Sequence, residues 1–234
     1  MSSYLETFYS RDEYDVKAYP QKLCNHLVNE YLSKNGDIKQ KKILDIGSGK
    51  GNHLVGFSRC GLQVYGLDKR KECISALEDF EIRECEIEND PFPYEDNFFD
   101  FIYSKSVMEH VTNTDNFLQQ TLRVLKPGGM VVLMTPDWKS QRDCFWDDYT
   151  HVKPFTRKSL QCAMIIHGFQ NVKSDYFLQL PLIWKYPFLK IFIPVISLLP
   201  DSLKWKDKEE TEFRKWVYFS KEKMLLATGV KAGV

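Results

Sequence analysis

The chain has 234 residues, and its 32 basic and 32 acidic side chains balance. That length suits one domain around a single core, and a neutral chain carries no overall electrostatic footprint for nucleic acid, so nucleic acid is not an expected partner. Six scattered cysteines without a C-x-x-C pair predict no metal site by spacing, and a polar, charged opening stretch without a signal-peptide pattern points to a reduced, cytoplasmic setting.

Residues 1–40 read as a helical cap, rich in aromatics at Tyr4, Phe8, Tyr9, Tyr14 and Tyr19. Strand and helix then alternate. A strand over 42–46 runs into a glycine turn and a helix over 52–60 that Gly61 closes. A strand over 62–67, a helix over 71–79 and a strand over 81–87 follow. A buried strand over 98–104 precedes a helix over 115–125, which Lys126-Pro127-Gly128-Gly129 stops. The β-branched, apolar run 130–135 is the fifth strand. A helix over 157–167, capped by Thr156 and ended by Gly168, leads to strands near 172–178 and 223–228. This order predicts an α/β fold with a doubly wound, mostly parallel seven-stranded sheet. One domain is expected: cap 1–40, core 41–176, hydrophobic insertion 177–212 and final strand region 213–234.

Residues 177–200 are strongly apolar, yet Lys185, Lys190, Pro181, Pro187, Pro194 and Pro200 interrupt them. Repeated prolines break a helix, so a transmembrane span is rejected. A substrate lid, a membrane-interface element, a dimer surface and a short insertion packed on the core are the readings left; a helical lid is expected, with peripheral contact to a membrane open to its interleaved aromatics and lysines.

The most informative run is Ile43-Leu44-Asp45-Ile46-Gly47-Ser48-Gly49-Lys50-Gly51. A buried strand turning sharply into a helix is a ligand loop in many α/β proteins. Asp45 would repel a pyrophosphate and favours a cationic ligand. Asn52 breaks the dinucleotide pattern, and Gly51 breaks the P-loop pattern. S-adenosylmethionine (SAM), with its ammonium and sulfonium groups, fits. Asp68, about 20 residues on, closes the next strand, where a carboxylate can accept from both ribose hydroxyls. NAD enzymes share that acid, but Asp45 opposes an NAD-type oxidoreductase or epimerase.

Asp45-x-Gly47-x-Gly49-x-Gly51 resembles motif I of the class I SAM-dependent methyltransferases. The likeness extends over roughly residues 40–170. It includes Glu86-Ile87 with the following Pro91-Phe92, Met108-Glu109-His110-Val111, and Leu125-Lys126-Pro127-Gly128-Gly129. It implies that Asp45, Gly47, Ser48, Gly49 and Gly51 hold the methionine end of the cofactor. Asp68, with Lys69 beside it, takes the ribose, Glu86 and Ile87 the adenine, and main-chain groups at Ser104 lie along the methionine. Glu stands at 86 where the family usually has Asp, and Asp90 replaces an apolar residue before the proline.

For the acceptor, the end of strand four reads Ser104-Lys105-Ser106-Val107, unlike the [ND]-P-P-[YF] of enzymes that methylate base or amide nitrogens. Residues 143–156 combine carboxylates, a histidine and aromatics. His151 is the candidate general base, with Asp148 or Asp147 as orienter or alternate base; ordinary packing of His151 against Phe155 is the competing expectation. Trp138, Trp146, Tyr149 and His110 are candidate substrate contacts. Glu109 and His110 are adjacent, but no third ligand stands at a metal-site spacing, so no metal is expected. The expected activity is O-methylation of a small-molecule, glycan or lipid-linked hydroxyl. A SAM-binding partner protein without catalysis is the alternative.

Overall fold

A computed structural model describes residues 18–69, 80–204 and 211–233. The helix expected over 71–79 and the aromatics Tyr4, Phe8, Tyr9 and Tyr14 lie outside those residues. Seven strands form one sheet: β1 (Lys42–Ile46), β2 (Gln63–Asp68), β3 (Glu81–Glu84), β4 (Phe99–Lys105), β5 (Leu125–Pro136), β6 (Gln170–Phe177) and β7 (Met224–Val230). Their spatial order is β3-β2-β1-β4-β5-β7-β6. β1 to β5 are parallel, and β7 is antiparallel to both β5 and β6. β1 and β4 are central and mostly buried because both their faces are covered.

Helices cover each face. On one, Phe117, Leu118 and Val124 of the helix Thr114–Val124 join Leu160 and Met164 of the helix Arg157–Ile166 over Leu44, Ile46, Ile102 and Leu133. On the other, Leu23 and Leu27 of the helix Ala18–Leu27 join Leu54 and Phe57 of the helix Asn52–Arg59 over Ile43, Phe101 and Val132. The two cores sandwich the sheet, so the strand ends, not its faces, are open to a ligand.

Two boundaries differ from expectation. β3 stops at Glu84, not at 87, because Asn89 and Asp90 return their amides to the Glu86 carbonyl and close a turn. The sequence Lys126–Gly129 does not separate helix from strand. It is a bulge inside β5: Phe99 pairs Leu125, but Phe101 pairs Met130. Lys231, just past β7, supplies the bulge with partners at Gly128 N and Gly129 O.

Between β6 and β7 the chain runs through a series of short helical pieces. The helix Pro181–Lys185, a 3-10 turn over Pro187–Phe192 and the helix Ile193–Ile196 each begin at or next to a proline. Leu180, Ile183 and Ile193 form a third, small core with Trp216 and Phe219 of the helix Glu212–Lys221. Among the described residues no helix is long and apolar enough to cross a membrane.

Candidate active site

The glycine turn is built by local geometry. β1 ends at Ile46, and Gly47, Gly49 and Gly51 take φ of 76°, 52° and 71°, a region that glycine enters without strain. Gly47 N and Ser48 N both donate to Leu67 O (2.8 and 3.0 Å), which pins the turn to the end of β2. A side chain at Gly47 would also lie 2.4 Å from Val107 Cγ2, so the turn and the end of β4 are in close contact.

Asp45 is 2% exposed, and its Oδ2 has no hydrogen-bond partner. Burial, together with the nearby Asp68, raises its pKa to about 8, opposed by Lys105. A buried carboxylate with an unpaired oxygen is costly unless a donor or cation meets it. Ser48 Oγ is likewise buried and unpartnered. This donor set fits a cationic, hydrogen-bonding ligand such as the methionine end of SAM. Asp68 is buried at the end of β2, where Gly49 N donates to its Oδ2 (2.8 Å) and fixes the carboxylate beside the turn. Lys69 follows it, exposed. Glu86 and Ile87 are half-buried in the turn after β3. Asn116 Nδ2 holds that turn by donating to Ile87 O and Asp90 O (both 3.2 Å). Ser104 is 2% exposed, and its Oγ donates to Ile46 O (2.9 Å), so the side chain ties β4 to β1 at the turn.

Three of the candidates, His110, Asp148 and His151, meet past the end of β4. Met108–His110 is a single 3-10 turn, and the Glu109 carbonyl accepts from Val152 N and Lys153 N (2.8 and 3.1 Å). That pair of bonds draws residues 148–153 against it. His151 Nδ1 lies 2.6 Å from Phe145 O, and His110 Nδ1 lies 3.2 Å from Thr150 O. A carbonyl only accepts, so each Nδ1 carries a proton, and the neutral form of each ring has its lone pair on Nε2. Thr150 Oγ1 donates to Asp148 Oδ1 (2.6 Å) while lying 2.9 Å from His110 Nδ1, linking the three groups. Asp148 Oδ2 is 3.8 Å from His151 Nε2. Burial lowers the His110 pKa, and His151 beside it, with ring centroids 4.8 Å apart, acts in the same direction. The ring of His151 packs on Phe145 at 4.4 Å, not on the Phe155 of the packing alternative. Phe155 is instead buried in the core and bridged to Asp137.

Glu109 is 1% exposed, and its Oε2 accepts from Thr135 Oγ1 (2.9 Å). Burial raises its pKa to about 7, with that bond and Lys105 acting against the rise. Glu109, His110 and His151 bring one ligand atom each within 4.8 Å of one another, a grouping that could hold a metal ion. Spacing had offered no third ligand to the Glu109-His110 pair; the fold supplies it from 41 residues away. Lys105 also escaped the sequence reading. It ends β4, and its charge acts on both Asp45 and Glu109. A lysine closing a mostly buried strand was the available signal. Trp138 is half-buried with an unpartnered Nε1, while Trp146 and Tyr149 are 54% and 75% exposed.

A family described as a methyltransferase domain matches residues 16–174. A ubiquinone biosynthesis O-methyltransferase of Bradyrhizobium sp. (strain ORS 278) is 36% identical over 111 residues, which span 42% of this chain and 42% of that protein. The chain therefore spans about two fifths of the length of that relative. Among solved structures, a methyltransferase in complex with the Trm112 activator from Haloferax volcanii aligns at TM-score 0.65 and 20% identity, over 96% of this chain and 98% of that one. Phosphoethanolamine N-methyltransferase 2 of Haemonchus contortus, solved with S-adenosylhomocysteine, aligns at TM-score 0.60 and 17% identity, over 97% of this chain and 59% of that one. With the family match over residues 16–174 and this strand order and glycine turn, the chain belongs to the methyltransferase-domain family and has the class I methyltransferase fold.

Proposed function

We propose that the protein transfers a methyl group to a hydroxyl oxygen of a small-molecule, glycan or lipid-linked acceptor. The observation that carries this reading is the orientation of the two imidazoles. Both Nδ1 atoms are committed to main-chain carbonyls, which leaves the His151 Nε2 lone pair beside Asp148 at the ligand edge of the sheet. When bound, SAM supplies an electrophilic methyl group on a sulfonium. The residues of the chain do the rest. Asp45 pairs with the cationic methionine end, Asp68 takes the ribose, and Glu86 with Ile87 takes the adenine. Ser48 Oγ and the main chain at Ser104 line the methionine.

A hydroxyl is a poor nucleophile until its proton leaves, and a positioned base is worth roughly 100- to 10,000-fold in rate. His151 takes that proton on Nε2, and Asp148 then pairs with the imidazolium. Trp138, Trp146, Tyr149 and His110 lie on or next to the segments that build this cluster and contact the acceptor. The name of the Bradyrhizobium relative, an O-methyltransferase, supports oxygen as the acceptor atom.

The test separates cofactor binding from proton removal. Calorimetry should show SAM binding to the wild type and none to Asp68→Ala. His151→Gln should keep the SAM affinity and lose on the order of 100-fold or more of methyl incorporation from labelled SAM. A wild type that does not bind SAM overturns the reading, and undiminished turnover in His151→Gln removes that residue from the mechanism.

A further inference from the structure

We infer that the insertion between β6 and β7 is a docking face for the surface of an anionic lipid bilayer. The inference rests on the methyltransferase reading only for what the face delivers, a lipid-linked acceptor; the face itself is argued from its own residues.

The insertion has two apolar sides. Its inner side, Leu180, Ile183 and Ile193, is covered by the helix Glu212–Lys221. Its outer side is bare: Phe188, Ile191, Phe192, Val195 and Leu198 are 70, 74, 53, 67 and 83% exposed. Their spacing of three, one, three and three residues places them along one stripe of the 3-10 turn and the helix that follows it. Half of the exposed large apolar side chains among the described residues fall within 182–198. Such a concentration marks an interaction surface rather than ordinary surface scatter.

Charge selects the occupant. From Tyr176 to Pro200 the chain has no acidic residue, and it exposes Lys185 and Lys190. An isologous dimer through this face would bring lysine toward lysine with no carboxylate in the segment to pair them. An anionic bilayer meets both demands, since apolar side chains enter the acyl boundary while lysines reach the headgroups. The prolines keep each helical piece short, so the segment lies along a surface and does not cross it.

The face is also on the correct side of the molecule. Pro136 at the end of β5 pairs with Met224, which pairs with Phe177 at the end of β6. The insertion therefore leaves the sheet at the edge that carries the glycine turn and the histidine cluster. Gln141 Nε2 and Lys223 O (2.8 Å) tie the acceptor loop to the return of the insertion. A bilayer under this face would present a headgroup-linked hydroxyl to the same edge.

The test is co-sedimentation of the full chain with vesicles of phosphatidylcholine alone or mixed with phosphatidylglycerol, with SAM calorimetry and light scattering on each protein. The wild type should sediment with the anionic vesicles and less so in high salt. Lys185→Gln/Lys190→Gln should weaken that partition roughly tenfold or more. Phe188→Glu/Ile191→Glu should abolish it while keeping SAM affinity, which shows that the variant is folded. Three results overturn the inference: no partition of the wild type, partition unchanged in Phe188→Glu/Ile191→Glu, or a wild-type dimer that this variant makes monomeric. Loss of SAM binding by the wild type would sink the methyltransferase reading instead, and the vesicle result would stand apart from it.

Discussion

Gly47 shows how one backbone position ties the cofactor turn to the acceptor side. Its φ of 76° is strained for any side chain, and a Cβ there would lie 2.4 Å from Val107 Cγ2, two residues before the buried Glu109. Gly47→Ala should therefore lose about 1–3 kcal/mol of stability through backbone strain and overpacking together. Val107→Ala removes the clashing methyl but not the strain, so the double variant should recover part of the loss, and denaturant midpoints of the four proteins measure the coupling. Full additivity would mean that the turn and the end of β4 are not in contact. Asp45, Gly47 and Asp68 were legible in the sequence because their chemistry is local: three glycines at alternate positions and two strand-end carboxylates. Lys105 and the joining of Glu109 to His151 were not. Those relations depend on β4 lying beside β1 and on a loop folded back 42 residues later, which no local spacing records.

Elements were legible where periodicity and stop signals agreed. The strands over 42–46 and 62–67 fall within a residue of β1 and β2. The failures are places where a tertiary hydrogen bond outweighed a local signal. Lys126-Pro127-Gly128-Gly129 has the composition of a turn, yet Lys231 pairs with Gly128 and Gly129 and keeps them within β5. Thr156 is a case where the local signal decides. Its side chain accepts from Ser159 N, and Ser159 Oγ accepts from Thr156 N (2.9 Å), a reciprocal cap on the helix Arg157–Ile166. This cap begins the helix five residues after His151 and so fixes where the acceptor loop ends. Thr156→Ala should cost about 1 kcal/mol, a fall in melting temperature of roughly 2–4 °C for a domain of this size. Thr156→Ser should retain most of the cap, and calorimetric scans of both variants test this. Equal melting temperatures for wild type and Thr156→Ala would show that the helix start is held by packing instead.

At the scale of the whole molecule, alternation of strands and helices predicted a mostly parallel sheet, but the antiparallel placing of β7 between β5 and β6 comes from the fold. Separately, buried titratable groups in β1, in the helix after it and just past β4 make the stability of the molecule depend on pH in a definite sense. Asp45 has a folded pKa of about 8, against about 4 for an aspartate in an unfolded chain. Between those values the folded protein holds a proton that the unfolded chain has released, so stability falls as pH rises through the window and levels off above it. Glu109, raised to about 7, acts in the same sense over a narrower range. His53, lowered to about 3 by burial and Lys105, acts oppositely, because it must gain a proton on unfolding below the ordinary histidine range. A single pH profile mixes these contributions. Comparison with Asp45→Asn separates them, since the variant lacks only the first. Without cofactor, the stability of Asp45→Asn relative to wild type should rise steadily from about pH 4 to about pH 8 and then flatten. Urea titrations across that range measure the gap, and a gap that does not change with pH would mean that Asp45 is ionised in the folded protein at all these values. The same variant should bind SAM at least tenfold more weakly above about pH 8, where the wild-type carboxylate is ionised, because a buried amide offers the cationic ligand no charge to pair with.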